Sequence, residues 1–195
     1  ADPLKGRGPA TRLAHRFAIT ERERDGDGWP SDEGDSPAAI VTDVTAERAR
    51  SILARNDSPD IPFTWSLNPY RGCEHGCVYC YARPTHEYLG FSAGLDFESR
   101  ILVKEDAPEL LRRRFASPAW APETVSVSGV TDPYQPIERR LRLTRRCLEV
   151  FAECLNPVAV VTKSRLVARD SDLLGTLARS RAAAVYLSIT TLDEG

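Results

Sequence analysis

The 195-residue sequence contains no methionine, not even at position 1, and only three histidines. It has no run of about 18 apolar residues, so no transmembrane helix is expected. Its first residues carry no apolar core of a secretory signal, so none is expected either. The formal net charge is only −2, and no bulk positive field advertises binding to nucleic acid. Cysteine is sparse and odd in number: five in all, three within eight residues and two far downstream. That distribution argues against a disulfide framework and for a metal site in a reducing compartment, expected to be the cytoplasm. The missing methionine, with a last segment (Thr191 to Gly195) that directly follows an apolar strand-like run, gives the expectation of a piece of a longer chain.

What is present suits a globular protein: 42% hydrophobic and 28% charged residues can build a core and a solvated surface. Residues 1–60 read as a flexible N-terminal arm. Lys5-Gly6-Arg7-Gly8 is basic, and Glu21 to Asp35 is acidic and glycine-rich without apolar periodicity. Within it, Val44 to Arg55 is expected to form a short helix with Thr45 as N-cap and Ile52 and Leu53 on one face.

Residues 61–195 read as the folded domain. Expected strands are Phe63–Leu67, Thr124–Ser128, Val158–Thr162 (buried on both faces) and Ala184–Ile189, with a short extra strand at Arg100–Val103. Expected helices are Ala107–Phe115, with Asp106 as N-cap and Pro108 in the first turn, then Ile137–Leu155, ended by Asn156-Pro157, and Asp170–Ser180. Strands alternating with helices give an α/β fold with a parallel sheet, open or closing into a barrel. Chemistry then collects at the C-terminal strand ends, where the polar residues are Asn68, Tyr70, Thr131, Asp132, Lys163, Ser164 and Thr190.

The segment Asn68-Pro69-Tyr70-Arg71-Gly72-Cys73-Glu74-His75-Gly76-Cys77-Val78-Tyr79-Cys80-Tyr81 spaces its thiols as Cys-x3-Cys-x2-Cys. Thiolates suit iron–sulfur clusters or zinc. Three cysteines on a four-iron cubane leave one iron open to a small molecule, and Gly72 and Gly76 would let the backbone wrap closely. Zinc, with His75 or His86 as a fourth ligand, and plain free thiols are the alternatives; zinc sites usually pair two separated knuckles, and no second Cys-x2-Cys occurs.

This spacing directly after the first strand of a βα series, with Tyr79 before the third cysteine, resembles the radical S-adenosylmethionine (SAM) superfamily. The wider string from Arg71 to Tyr81, with Asn68-Pro69-Tyr70, Ala82-Arg83-Pro84, Thr131-Asp132-Pro133-Tyr134-Gln135-Pro136 and Val161-Thr162-Lys163-Ser164, is similar to its spore photoproduct lyase-like (DNA repair photolyase-like) branch. The resemblance implies a partial (βα)6, TIM-like barrel, truncated here after the fourth strand, with residues 61–195 as its N-terminal part. It implies that Cys73, Cys77 and Cys80 hold a [4Fe-4S] cluster. Reductive cleavage of SAM would then give a 5′-deoxyadenosyl radical that takes hydrogen from an unassigned substrate, with nucleic acid left open. It implies SAM contacts at Tyr79, Tyr81, Thr131, Asp132, Lys163 and Ser188. It also implies an external electron donor such as flavodoxin or ferredoxin, and no membrane partner.

Each implied contact has a plainer alternative: packing under the loop for Tyr79 and Tyr81, an Asp-Pro turn for Asp132, a structural strand residue for Ser188. In spore photoproduct lyase a cysteine just before the Thr/Ser-x-Asp element donates hydrogen; lined up on Asp132, that place is Gly129, so lyase activity does not carry across. Cys147 and Cys154 lie seven apart with Leu143 and Val150 and read as core. Arg139, Arg140, Arg142, Arg145 and Arg146 read as a solvated outer helix face rather than a phosphate-binding one. Functions from other classes are a non-catalytic iron–sulfur electron carrier, which would normally want a fourth cysteine, and a zinc-binding nucleic-acid module.

Overall fold

The computed structural model describes residues 41–190. In chain order it contains β1 (Asp43–Ala46), β2 (Leu53–Arg55), β3 (Trp65–Leu67), β4 (Tyr70–Arg71), a 3-10 helix over Arg83–Leu89, α1 (Leu95–Ser99) and β5 (Arg100–Val103). There follow α2 (Ala107–Phe115), β6 (Val125–Val127), α3 (Glu138–Leu141), α4 (Leu143–Cys154), β7 (Val158–Thr162), a second 3-10 helix over Arg165–Asp170, α5 (Ser171–Arg179) and β8 (Ala183–Leu187). The described residues divide into two compact units, 41–44 with Gly72–Ile101 and Thr45–Arg71 with 102–190.

The larger unit is built on a mixed α/β plan. Its five-stranded sheet runs β2-β3-β6-β7-β8. The last four strands are parallel, and β2 joins β3 antiparallel. In register, Leu67 lies opposite Val127, which lies opposite Val160. These three side chains are fully buried, and branched apolar residues at every second position are what a covered pleated face requires. The apolar stripe of α4 (Leu143, Cys147, Leu148, Val150 and Phe151) is buried at helical spacing, and α4 packs on α2 and α5. Each of these large side chains contributes about 1.5–3 kcal/mol by leaving water. Alongside, β4 pairs antiparallel with β5 through Tyr70–Val103 and Arg71–Leu102, and Glu47 N–H donates to Val103 O at 2.8 Å. Among the described residues no closed barrel forms, and no helix is long and apolar enough to cross a membrane.

The parallel series and its helices follow the expected order, with several corrections. Val44–Arg55 is not a helix: β1 and β2 occupy its ends, because Leu53 pairs with Leu67 and both Ile52 and Leu53 are buried there. The last twenty residues of the expected arm thus carry strands, while residues 1–40 lie outside the described residues, as does the segment Thr191–Gly195. Asp106 does not cap α2 with its side chain, though Pro108 does sit in the first turn. The expected long helix breaks at Arg142, which adopts φ +51°. The cause is Glu138: its carboxylate accepts from Thr144 N–H and Arg145 N–H, capping a fresh helix start. Cys147 is buried as expected, but Cys154 is exposed, because it closes the last turn of α4 beyond the covered stripe. Strand β7 is buried on one face only, since Val161 remains 38% exposed.

Candidate functional site

The cysteine loop belongs to the smaller unit. Cys73 is buried, Cys77 and Cys80 are partly exposed, and none of the three is in a disulfide. Successive tight turns wrap the loop: Gly76 N–H donates to Cys73 O, Cys80 N–H to Cys77 O, and Arg83 N–H to Cys80 O. Gly72 enters the loop at φ +80°, and a Cβ there would meet the carbonyl oxygens of Phe97 and Arg100 at 2.9 Å. Only glycine fits, and the close approach lets Cys73 N–H donate to Phe97 O at 2.8 Å. Gly76 also has positive φ, +62°.

One side chain organises the interior of this unit. Arg83 is 8% exposed and uses its whole guanidinium fork. Nε donates to Cys77 O at 2.8 Å and Nη2 to Gly76 O at 2.7 Å. Nη1 donates to Gly94 O at 2.9 Å and Ala93 O at 3.2 Å. The fully buried Glu98 carboxylate lies 3.5 Å from Nη2, and the Phe97 ring lies under the fork. His86 is buried between Phe91 and Phe97, with Nε2 hydrogen-bonded to Arg100 O at 3.0 Å. Burial pushes its pKa below the ordinary imidazole value.

The rim of the parallel sheet belongs to the larger unit. Thr131 and Asp132 follow β6, Lys163 follows β7 and Ser188 follows β8. Asp132 stitches two of these ends together. Its Oδ1 accepts from Tyr134 N–H at 2.8 Å and Thr162 Oγ1 at 2.6 Å, and its Oδ2 accepts from Lys163 N–H at 2.9 Å. Ser188 N–H donates to Thr162 O. Asn68 Oδ1 accepts from Val130 N–H, and Thr131 Oγ1 donates to Tyr70 O. Lys104 Nζ donates to Asn68 O at 3.1 Å; burial first, and Arg71 second, push its pKa down.

Beneath the rim lies a buried acid network. Glu138, fully buried, accepts from Tyr70 Oη and from Arg169 Nη2 at 2.7 Å. Asp170, also fully buried, accepts from Tyr134 Oη at 3.1 Å, Arg145 Nη1 at 2.9 Å and Arg169 Nε and Nη2. Burial would raise the pKa of Asp170, but the two guanidiniums outweigh it and hold the carboxyl below its ordinary range. Burial, reinforced by Glu138, drives the Tyr70 hydroxyl far above its ordinary value.

The model of the radical SAM superfamily matches residues 67–195, from the end of β3 through the cysteine loop and all the rim residues. The chain belongs to the radical SAM superfamily. Among curated relatives, an uncharacterized protein of Mycobacterium tuberculosis is 35% identical over 181 residues, covering 85% of this chain and 53% of that protein. An uncharacterized protein of Methanocaldococcus jannaschii is 34% identical over 107 residues, covering 55% of this chain and 38% of that one. One from Acidianus two-tailed virus is 28% identical over 135 residues, with 67% and 43% covered. The chain spans about half the length of the mycobacterial relatives it matches. No solved structure gives a significant match.

Radical SAM proteins generally use a [4Fe-4S] cluster and SAM. The loop fits such a cluster in its chemistry: three soft thiol donors outside any disulfide at Cys-x3-Cys-x2-Cys spacing, and no cysteine besides these three in the 72–101 segment. Among the described residues no three metal-ligating side chains converge on one point as a single ion would need; a cubane takes each thiolate on a different iron. The rim residues expected to contact SAM divide by engagement. Asp132 has three of its acceptor positions filled by the protein itself. Ser188 is exposed, while Tyr79 and Tyr81 stand 67% and 79% exposed on the cysteine loop. Of the arginine run, Arg145 is committed to Asp170 and Asp172, whereas Arg139, Arg140, Arg142 and Arg146 are exposed. Sequence reading assigned no role to Arg83, Glu138 or Asp170. The available signal for Arg83 was its place three residues after the third cysteine, inside a motif already noted.

Proposed function

We propose that this chain is the cluster-bearing part of a radical SAM enzyme of the spore photoproduct lyase-like branch. The observation that carries the proposal is the cysteine loop: three thiols outside any disulfide, wound on consecutive turns and anchored by Gly72 and Arg83. Cys73, Cys77 and Cys80 hold a [4Fe-4S] cluster, leaving one iron for SAM. When bound, the cluster supplies the electron that cleaves SAM to methionine and a 5′-deoxyadenosyl radical. The chain's own residues orient the reactants. Tyr79 and Tyr81 offer exposed rings beside the third cysteine, Lys163 offers a polar group after β7, and Thr131, buried with its hydroxyl on Tyr70 O, backs the proposed contact after β6. Asp132 and Ser188 complete the proposed SAM contacts. Strands β3, β6, β7 and β8 with their helices form the first part of a partial (βα)6 barrel. The electron donor is an external flavodoxin- or ferredoxin-like protein, and the compartment is the cytoplasm. No lyase step is assigned: where a hydrogen-donating cysteine would stand, Gly129 adopts φ +112°, a conformation that residues with a Cβ rarely take.

The test is anaerobic reconstitution with iron and sulfide, then SAM and dithionite. About four irons and four sulfides per chain, with 5′-deoxyadenosine released, support the reading. Stoichiometric zinc with no iron–sulfur absorption would overturn it.

A further inference from the structure

Arg83 sits where two short stretches of backbone must face each other across a buried space. On one side are Gly76 and Cys77, between the first and third thiols; on the other are Ala93 and Gly94, at the turn into α1. Four carbonyl oxygens converge on one guanidinium. A buried carbonyl left without a donor costs about 1–3 kcal/mol, so the loop has a strong reason to keep this arrangement. The fork is planar and its five N–H groups have fixed directions. A lysine ammonium supplies the same charge toward Glu98 but has three donors on one atom, and cannot reach carbonyls on both sides at once. The tight turns that wind the loop use Cys73 O, Cys77 O and Cys80 O but not Gly76 O; Gly76 O accepts from Arg83 Nη2, and Cys77 O is shared between Cys80 N–H and Arg83 Nε. Arg83 therefore fixes the direction of the Gly76–Cys77 peptide plane, which the tight turns leave unheld, and adds a second donor to the Cys77 carbonyl.

We propose that Arg83 is a positioning residue for the metal centre: its guanidinium, through the Gly76 and Cys77 carbonyls, presets the thiol-bearing loop before any cluster is loaded. The role in cluster retention rests on the radical SAM reading; the presetting of the empty loop does not. It is a matter of geometry rather than charge, so Arg83→Lys fails to restore it.

The experiment compares the parent chain, Arg83→Lys and Arg83→Ala by two readouts. The first is amide hydrogen exchange of the metal-free protein, followed peptide by peptide. Both variants should exchange at least about tenfold faster over residues 72–81, while the strands β6 and β7 keep parent rates. The second is chelator challenge of the reconstituted cluster, where both variants should lose iron at least about tenfold faster than the parent. Parent-like loop exchange in Arg83→Lys would overturn the proposal, as would faster exchange spread equally over β6 and β7, which marks a general loss of stability. A parent that takes up no iron–sulfur cluster would defeat the radical SAM reading, while the exchange comparison still decides for or against the preset loop.

Discussion

Replacing Asp170 by asparagine removes one negative charge from the middle of the buried acid network without changing its volume. The carboxylate accepts from Tyr134 Oη at 3.1 Å, Arg145 Nη1 at 2.9 Å, and Arg169 Nε and Nη2 at 2.8 and 2.7 Å. Asparagine retains one acceptor oxygen and turns an amide N–H2 toward a guanidinium. At least two charge-assisted bonds are lost, each worth about 1.5–3 kcal/mol. Part is recovered, because Arg145 keeps Asp172 at 2.8 Å and Arg169 keeps Glu138 at 2.7 Å. The expected net loss is about 3 kcal/mol, near the lower end for breaking a buried ion pair. For a chain of 195 residues that lowers Tm by about 6–12 °C. The assay is urea unfolding followed by circular dichroism, from pH 7 down to pH 3. The sign of the pH dependence follows from the depressed pKa of Asp170. Its contribution is complete above the unfolded-state value of about 3.9 and is lost as pH falls through the lower folded value. The gap between parent and variant should thus be constant from pH 7 to about 5 and close below pH 4. A gap under about 0.5 kcal/mol at pH 7, or one that persists unchanged at pH 3, would refute the assignment of Asp170 as an ionised hub.

Cys77→Ala should abolish iron–sulfur absorption, whereas Cys147→Ala and Cys154→Ala should leave the iron content at the parent level; colorimetric iron and sulfide counts decide this. Gly72→Ala forces a Cβ against two backbone carbonyls at positive φ and should cost the cysteine unit about 2–4 kcal/mol, read as faster amide exchange over residues 72–101. Asp132→Asn keeps one acceptor oxygen but sets an N–H2 against Thr162 or Lys163 N–H. It should weaken SAM binding about ten- to a hundredfold, read by titrating the reduced cluster under electron paramagnetic resonance.

The parts of the fold legible in the sequence are those decided locally. Val158–Thr162 is an unbroken β-branched and small apolar run, and Ala107–Phe115 has proline in its first turn and an apolar stripe; both elements appear with the expected bounds. The cysteine loop was legible because ligand spacing is a local property. What escaped depends on residues brought from far away. Leu53 becomes a strand residue only because Leu67 is there to pair with it. The Ile137–Leu155 helix splits because the Glu138 carboxylate turns back to cap its own downstream segment. Cys154 keeps the helical phase of Cys147 but lies past the end of the surface that covers it. Arg83 looks like any charged residue until Ala93 and Gly94 fold over it.

Strand β8 has consequences for handling the protein. It closes the described sheet with β7 on one side, and Val185, Tyr186 and Leu187 stand 41%, 59% and 58% exposed. Among the described residues no strand pairs with its outer side, and an edge strand that exposes Val185, Tyr186 and Leu187 is a template for the same strand of another molecule. Concentrated solutions of this chain will therefore lose material to strand addition unless that margin is covered. A lysine in place of Tyr186 is the simplest guard against it, because each added copy would bring like charges face to face.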